Sequence, residues 1–360
     1  MKLITRYIFK KCALNTVMLL FAFSVIYLII NAIQELGEIG KGEYDSSAMV
    51  IYLLAQLPEY LYLLAPLAVL IGVMTGMLNL VKSSEYAIMR TSGISLFKVT
   101  QILAVFGLFF AIITFSLGEF VAPKSNQFAK VYKLNKLDQR ISTELSTGVW
   151  SKDGAHNIIN IKEINPTNSS LISGIQIFAY NNNQELKQYI NAESASYDQN
   201  NKAWILNNST IFNYLGNKID IQHPLHYQWS STIDPSYFKV LIISPDDMPA
   251  LGLYKYIQHL QANKQAVNRH QISMWSKLLY PLACISMALI AIGFVPNNGR
   301  NINLSTKLFI GILIGVTFFF SNKLIGYLAV LFEWNAVLSA TIPTVLLFLA
   351  GSVTLWRKEN

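Results

Sequence analysis

Long apolar runs alternate with short polar breaks at both ends of this chain, and a mixed pattern of short runs fills the middle. An α-helix needs roughly 20 apolar residues to cross a bilayer. Six runs meet that length, at about 12–33, 61–81, 99–121, 276–295, 304–325 and 336–356. The first contains no charged residue and follows Lys2, Arg6, Lys10 and Lys11. It is longer than a signal-peptide core, and no small-x-small cleavage site follows it, so it reads as a span. From about 141 to 245 the period shortens. Ile158–Ile161, Ile172–Tyr180, Leu186–Ala192, Ala203–Leu206, Thr210–Tyr214, Ile219–Gln222 and Tyr227–Trp229 read as strands between clusters of turn residues. Such spacing predicts a sandwich, barrel or jelly roll. The fold class expected is a polytopic α-helical membrane protein with six transmembrane helices and an inserted all-β domain. The divisions expected are 1–122 (spans 1–3, with a loop at 82–98), 123–250 (the β domain with a helical lead-in) and 251–360 (a connecting helix and spans 4–6).

Composition supports the membrane reading. Of 360 residues 52% are hydrophobic and 13% charged, with mean hydropathy +0.37; soluble domains carry about 25% charged residues. The net charge of +8 suggests a nucleic-acid binder until its distribution is considered. With the N-terminus inside, the segments 1–11, 82–98, 296–307 and 357–360 hold 11 of the 28 Lys and Arg but only Glu85 and Glu359 among the 20 acids. That asymmetry is the positive-inside rule, and no nucleic acid is needed to explain it. Cys12 and Cys284 both fall in spans and read as packing residues.

Particular residues sharpen the picture. Gly72-x3-Gly76 and Gly311-x3-Gly315 are small-xxx-small faces that let helices approach closely, as intramolecular contacts or at a gate. After Pro123 the helical pattern continues, and Lys130, Lys133, Lys136 and Arg140 recur along one side. This stripe is either a solvated face near anionic headgroups or a dock for a phosphorylated amphiphile. The loop 82–98 reads as a short helix with Ser83 or Ser84 as cap and Gly93 as stop. Glu85 is its single acid, and Tyr86, Ile88 and Met89 offer apolar contacts. The chain has no G-x-x-x-x-G-K-[ST] loop for ATP and no HExxH, GxSxG or CxxC motif. No cofactor and no metal are expected, and no enzymatic activity.

Ser84-Glu85 with Ser92-Gly93, Gly118-Glu119-Phe120-Val121-Ala122-Pro123, Gly148-Val149-Trp150-Ser151-Lys152-Asp153-Gly154 and Met274-Trp275-Ser276-Lys277, in this order, resemble the LptF/LptG family. These are the permease subunits of the lipopolysaccharide-export ABC transporter. The resemblance runs nearly end to end. It implies the inner membrane of a Gram-negative bacterium, with the all-β domain a jelly roll in the periplasm. It implies as partners an LptF permease, an LptB ATPase dimer, LptC and periplasmic LptA, and lipopolysaccharide as substrate. It also implies that Glu85, with Tyr86, Met89 and Arg90, forms a coupling helix against the ATPase, and that Lys130, Lys133 and Lys41 contact substrate phosphates. Where the family carries lysine near the outer end of span 1, with basic residues just after, this chain has Asn31, Gly37 and Glu38. The alternative expectations are the paralogous LptF place in the same complex, and a non-transporting scaffold or mechanotransmitter coupled to a cytoplasmic ATPase.

Overall fold

The computed structural model describes residues 2–359 apart from 138–140, 143–148, 154–155, 165–169, 182, 184, 200, 202, 216–217, 232–234, 236–244, 263–264 and 297–303. The chain begins with α1 (Lys2–Glu35), α2 (Ser46–Lys82), α3 (Glu85–Thr91), α4 (Leu96–Ser116) and α5 (Ala122–Lys136). Strands β1 (Ile141–Ser142), β2 (Val149–Asp153), β3 (Asn157–Ile164), β4 (Leu171–Tyr180), β5 (Leu186–Asp198), β6 (Ala203–Leu215), β7 (Lys218–Gln222) and β8 (His226–Trp229) follow. The chain then continues through α6 (Ala250–Ala262), α7 (Asn268–Leu279), α8 (Ala283–Gly293), α9 (Leu304–Leu331) and α10 (Ala336–Glu359). Among the described residues, six helical stretches are long and apolar enough to span a membrane: Leu3–Glu38, Ser46–Lys82, Leu96–Lys136, Asn268–Gly293, Ser305–Leu331 and Ala336–Val353. The six expected spans and the inserted antiparallel β domain are therefore present.

The helix α2 is the axis of the bundle. It is apolar on every side, as a helix enclosed by others must be, and 67% of its span is buried against 11% for α1 and 17% for α9. Small residues let its neighbours close. A Cβ added to Gly72 would lie 2.6 Å from Thr16 Cα, and one on Gly76 would lie 3.1 Å from Cys12 Cα. From the other side Gly311 packs on Met74 Sδ (2.7 Å to an added Cβ) and Gly315 on Leu67. Both small-residue pairs thus face partners within the chain. Pro58 and Pro66 sit inside α2 without ending it. Nearby carbonyls find donors on other elements: Ser125 Oγ donates to Ala55 O and Tyr280 Oη to Leu63 O at 2.6 Å.

The second span, expected from about 61, begins much earlier. Asp45 caps α2, accepting from Ala48 N at 2.8 Å, so the helix starts at Ser46, well before 61. That hydrogen bond holds the Asp45 carboxyl below its ordinary range.

The sheet runs in the order β1-β3-β4-β5-β6-β7, with β2 sharing the β3 edge with β1 and β8 sharing the β6 edge with β7. Alternation puts Ile159, Ile161, Ile175, Ile177, Ile190 and Trp204 in the core. Phe178, Tyr189 and Phe212 form a ladder at 5.0 and 5.6 Å between rings on the other face. Ala203–Leu206 and Thr210–Tyr214 turn out to be one strand. Asn208 between them takes a left-handed φ of 49°, which asparagine tolerates better than most residues, and β6 passes through it unbroken.

Because Gly72 lies against the Thr16 backbone as well as its side chain, Gly72→Val is expected to force α1 away from α2 and cost about 1–3 kcal/mol. Gly326→Ala, whose added Cβ meets nothing within 4 Å, is expected to leave stability unchanged. Thermal unfolding of both variants in detergent checks this.

Candidate functional site

Two regions carry the candidate chemistry, one at each end of the bundle. At the basic end, α3 is a single short helix ended by Gly93 at φ +91°, with Gly93 N donating to Arg90 O (3.2 Å) and Ile94 N to Met89 O (3.1 Å). That pair of bonds is a Schellman ending. The expected serine cap differs: Ser84 occupies the N-cap position with φ 62° and makes no capping bond. Ser83 Oγ instead donates to Glu85 Oε1 at 2.9 Å. Glu85 also accepts from Tyr7 Oη at 2.7 Å and pairs with Lys11 Nζ at 3.4 Å. The Tyr7 hydroxyl first, then Ser83 and Lys11, hold the Glu85 carboxyl below its usual range.

The other residues of α3 divide by burial. Tyr86 is buried in the bundle core and Met89 packs partly against it, so both anchor α3 to its own chain. Arg90 Nη1 donates to Ile94 O at 2.8 Å and steadies the following turn. What α3 and its surroundings offer outward is Ile88 (63% exposed), Phe97 and Leu3, beside the partly exposed Glu85.

At the opposite end, α4 passes into α5 through a π-turn, Leu117–Val121. The extra residue per turn directs Glu119 inward, and Gly118 leaves room for the Tyr62 ring, 2.6 Å from where a Cβ would stand. Glu119 is only 8% exposed, yet it sits in an apolar run. It accepts from Ala250 N at 2.7 Å and Leu251 N at 3.0 Å, two donors that the first turn of α6 leaves unmatched. Asp247 just before them accepts from Asn126 Nδ2 at 2.8 Å and from Lys130 Nζ. Lys277 donates to Met248 O. The Gly118–Pro123 and Met274–Lys277 motifs therefore converge on one short segment, 247–251, where the chain returns from the β domain. Neither Glu119 nor Asp247 was assigned this role from sequence; an acid inside an apolar run was the signal available.

The lysine stripe lies on α5, and each described lysine of it faces an acid of the same chain. Lys130 pairs with Asp247, Lys133 with Glu35 (2.7 Å) and Lys136 with Glu43 (3.0 Å). Lys41 pairs with Glu38 at 3.0 Å. Arg140 lies outside the described residues. Lys133 is the most enclosed, with the Tyr52 and Tyr44 rings 4.9 and 5.9 Å from its ammonium and Tyr44 Oη donating to Glu35 at 3.2 Å. The turn before α2 packs against the end of α5. Gly42 (φ +56°) has no room for a Cβ, which would stand 2.9 Å from the Leu137 carbonyl carbon, and Glu43 N donates to Lys136 O at 2.7 Å. The row thus pins the α1–α2 turn to α5.

Beside this row is a cavity of about 500 Å³ between α2, α7 and the outer part of α9, with Glu59, Arg269, Lys277 and Lys323 among its lining residues.

A bundle of six membrane-length helices with an antiparallel β domain inserted between the third and fourth defines a polytopic membrane protein. A family model described as "Lipopolysaccharide export system permease LptF/LptG" matches residues 6–357, and the chain belongs to that family. It is similar to the lipopolysaccharide export system permease protein LptG of Escherichia coli K12, 27% identical over 355 residues covering 98% of each chain. It is also similar to the protein of that name from Haemophilus influenzae Rd, 27% identical over 335 residues and 92% of each. The chain is thus a multi-pass membrane permease of lipopolysaccharide export, not an enzyme, and a component of an Lpt complex.

Two outcomes follow. A carboxyl held low stabilises its contacts above the ordinary glutamate value and loses that stabilisation as pH falls through the depressed one. As pH falls below about 4.5, Glu85→Gln is expected to show a flatter dependence of melting temperature on pH than wild type. Lys133→Met leaves Glu35 without its cation in a largely buried setting and is expected to cost about 1–2 kcal/mol. Adding Glu35→Gln should recover most of the loss in a double-mutant cycle read by thermal unfolding.

Proposed function

We propose that the chain takes the LptG place in the export complex, in the inner membrane with its β domain in the periplasm. In this reading LptF pairs with it, an LptB dimer docks beneath α3, LptC contributes a further membrane helix and LptA receives the cargo. The observation that carries the reading is the pairing of an exposed acidic-apolar α3, on the basic end, with a family match over nearly the whole chain. The similarity to LptG proteins of two bacteria favours the LptG place over the LptF place.

The physical logic is that of an amphiphile extractor. Withdrawing acyl chains from a bilayer costs about 0.8 kcal/mol per CH₂ unless an apolar surface replaces the lipid. Exposed apolar side chains along α1 and α9, such as Phe21, Ile26, Phe309 and Phe320, offer that surface on either side of α2. The β sheet, with its isoleucine core and aromatic ladder, continues an apolar route outward. Energy enters through α3: Glu85 and Ile88 meet the ATPase, Tyr86 and Met89 tie α3 to the bundle, and Arg90 keeps its end in place. Gly72 and Gly76 hold α1, and Gly311 and Gly315 hold α9, so that motion of α2 carries both cavity walls.

Lys130, Lys133 and Lys41 contact substrate phosphates in this reading by exchange, a phosphate replacing Asp247, Glu35 or Glu38 as the partner. Lys41, the most exposed of the three, is the most easily exchanged. The carboxylates make the rim selective: only a group that competes with an intramolecular acid is held. Asn31, near the outer end of α1, adds no cation.

Affinity purification of the tagged chain from membranes tests the assembly. A second permease and a P-loop ATPase are expected with it. Glu85→Ala is expected to lower coupled ATP hydrolysis, and Ile88→Asp to weaken ATPase retention roughly tenfold. Normal export by the Glu85→Ala variant would remove the role given to that carboxylate. Photo-crosslinkers in α1 and α9 are expected to capture lipopolysaccharide; protein adducts alone would point to a scaffold.

A further inference from the structure

The cavity between α2, α7 and α9 is not used by the lysine row. Its origin is visible in α9. Gly311 and Gly315 hold this helix against α2, but Gly326, on the same side further out, faces open space. The helices part beyond the second glycine, and the gap is the cavity of about 500 Å³. That is the size of pocket that encloses a small-molecule ligand, roughly 300–1,000 Å³.

Its walls are apolar, with Leu63, Ile272, Phe319 and Val330 among them. Charged groups interrupt them. Asp247 is held by Asn126 and Lys130, and Lys277 by Met248 O. Glu59 on α2, Arg269 on α7 and Lys323 on α9 are different: none has an ion-pair partner among the described residues. Two cations and one carboxylate with no direct ion pair among the described residues thus line one largely apolar pocket at the outer end of the bundle. An anion alone would satisfy the cations and face Glu59 unfavourably. A cation alone would do the reverse. A ligand bearing a phosphate and an ammonium on one short headgroup matches all three, and its acyl chains match the walls.

We propose that this cavity is a binding site for a zwitterionic aminophospholipid. The phosphate lies toward Arg269 and Lys323, the ammonium toward Glu59, and the start of the acyl chains lies along α9. A glycerophospholipid headgroup suits the volume, whereas a multi-acylated disaccharide exceeds it. Such a lipid wedges the outer part of α9 away from α2. The site does not depend on the place assigned to this chain in the export complex.

The test uses the full chain purified with its co-purifying subunits in detergent doped with equal phosphatidylethanolamine and phosphatidylglycerol, with bound lipid counted by native mass spectrometry. Wild type is expected to retain phosphatidylethanolamine roughly tenfold over phosphatidylglycerol, the effect of one charge-assisted contact. Glu59→Gln is expected to abolish the preference while phosphatidylglycerol still binds. Glu59→Asp, which keeps the charge, is expected to preserve the preference and so separates charge from folding. Lys323→Gln combined with Arg269→Gln is expected to lower both lipids by about tenfold. Equal retention of the two lipids by wild type, retention of neither, or a preference unchanged by Glu59→Gln would overturn the proposal. So would variants that displace lipopolysaccharide and leave phospholipid untouched, which would assign the cavity to the exported lipid.

Discussion

The Glu119 carboxylate, buried where the chain leaves the membrane, is the contact on which the arrangement of this permease depends. A carboxylate out of water is costly unless its oxygens are matched by donors. Here the two backbone N–H groups of Ala250 and Leu251 supply the match, and they belong to the point where the chain comes back. Departure and return are thereby held at one place. Asn126 and Lys130 of α5, which bind Asp247, and Lys277 of α7 reinforce the same segment. A β domain inserted in a membrane protein is joined by only two chain crossings, and a fixed junction makes those crossings move together.

Below the junction the bundle is organised by close approach around α2. Glycines at 72, 76, 311 and 315 let α1 and α9 lie against it, and in doing so leave the outer faces of those helices uncovered. A compact soluble protein would bury such surface. In the proposed assembly, a lipid-sized space shared with a second subunit needs it exposed. The same economy governs the inner end, where Tyr86 is spent on holding α3 and Ile88 is left outside.

How much of this was readable in the sequence depended on the range of the interaction. Apolar runs and charge asymmetry are local or additive, and the six spans followed from them. The spacing of the glycines announced close packing, though not which helices would meet. The start of α2 was misplaced because apolar content outweighed a legible cap at Asp45. The strand through Asn208 was divided because an asparagine pair looks like a turn. The lysine stripe was seen, but not its acids. Glu35, Glu43 and Asp247 lie 98, 93 and 117 residues away along the chain, and no periodicity connects them. Glu119 was visible only as part of a motif, since the partners of a buried carboxylate are backbone groups with no sequence signature.

The central claim is that Glu119 fixes the return of the chain from the β domain. Hydrogen exchange read by mass spectrometry on the full chain in detergent tests it most directly. In wild type, the amides of Ala250 and Leu251 are expected to be protected although they open a helix. In Glu119→Ala they should exchange rapidly while α2 stays protected. Unchanged protection at Ala250 and Leu251 in that variant would contradict the account.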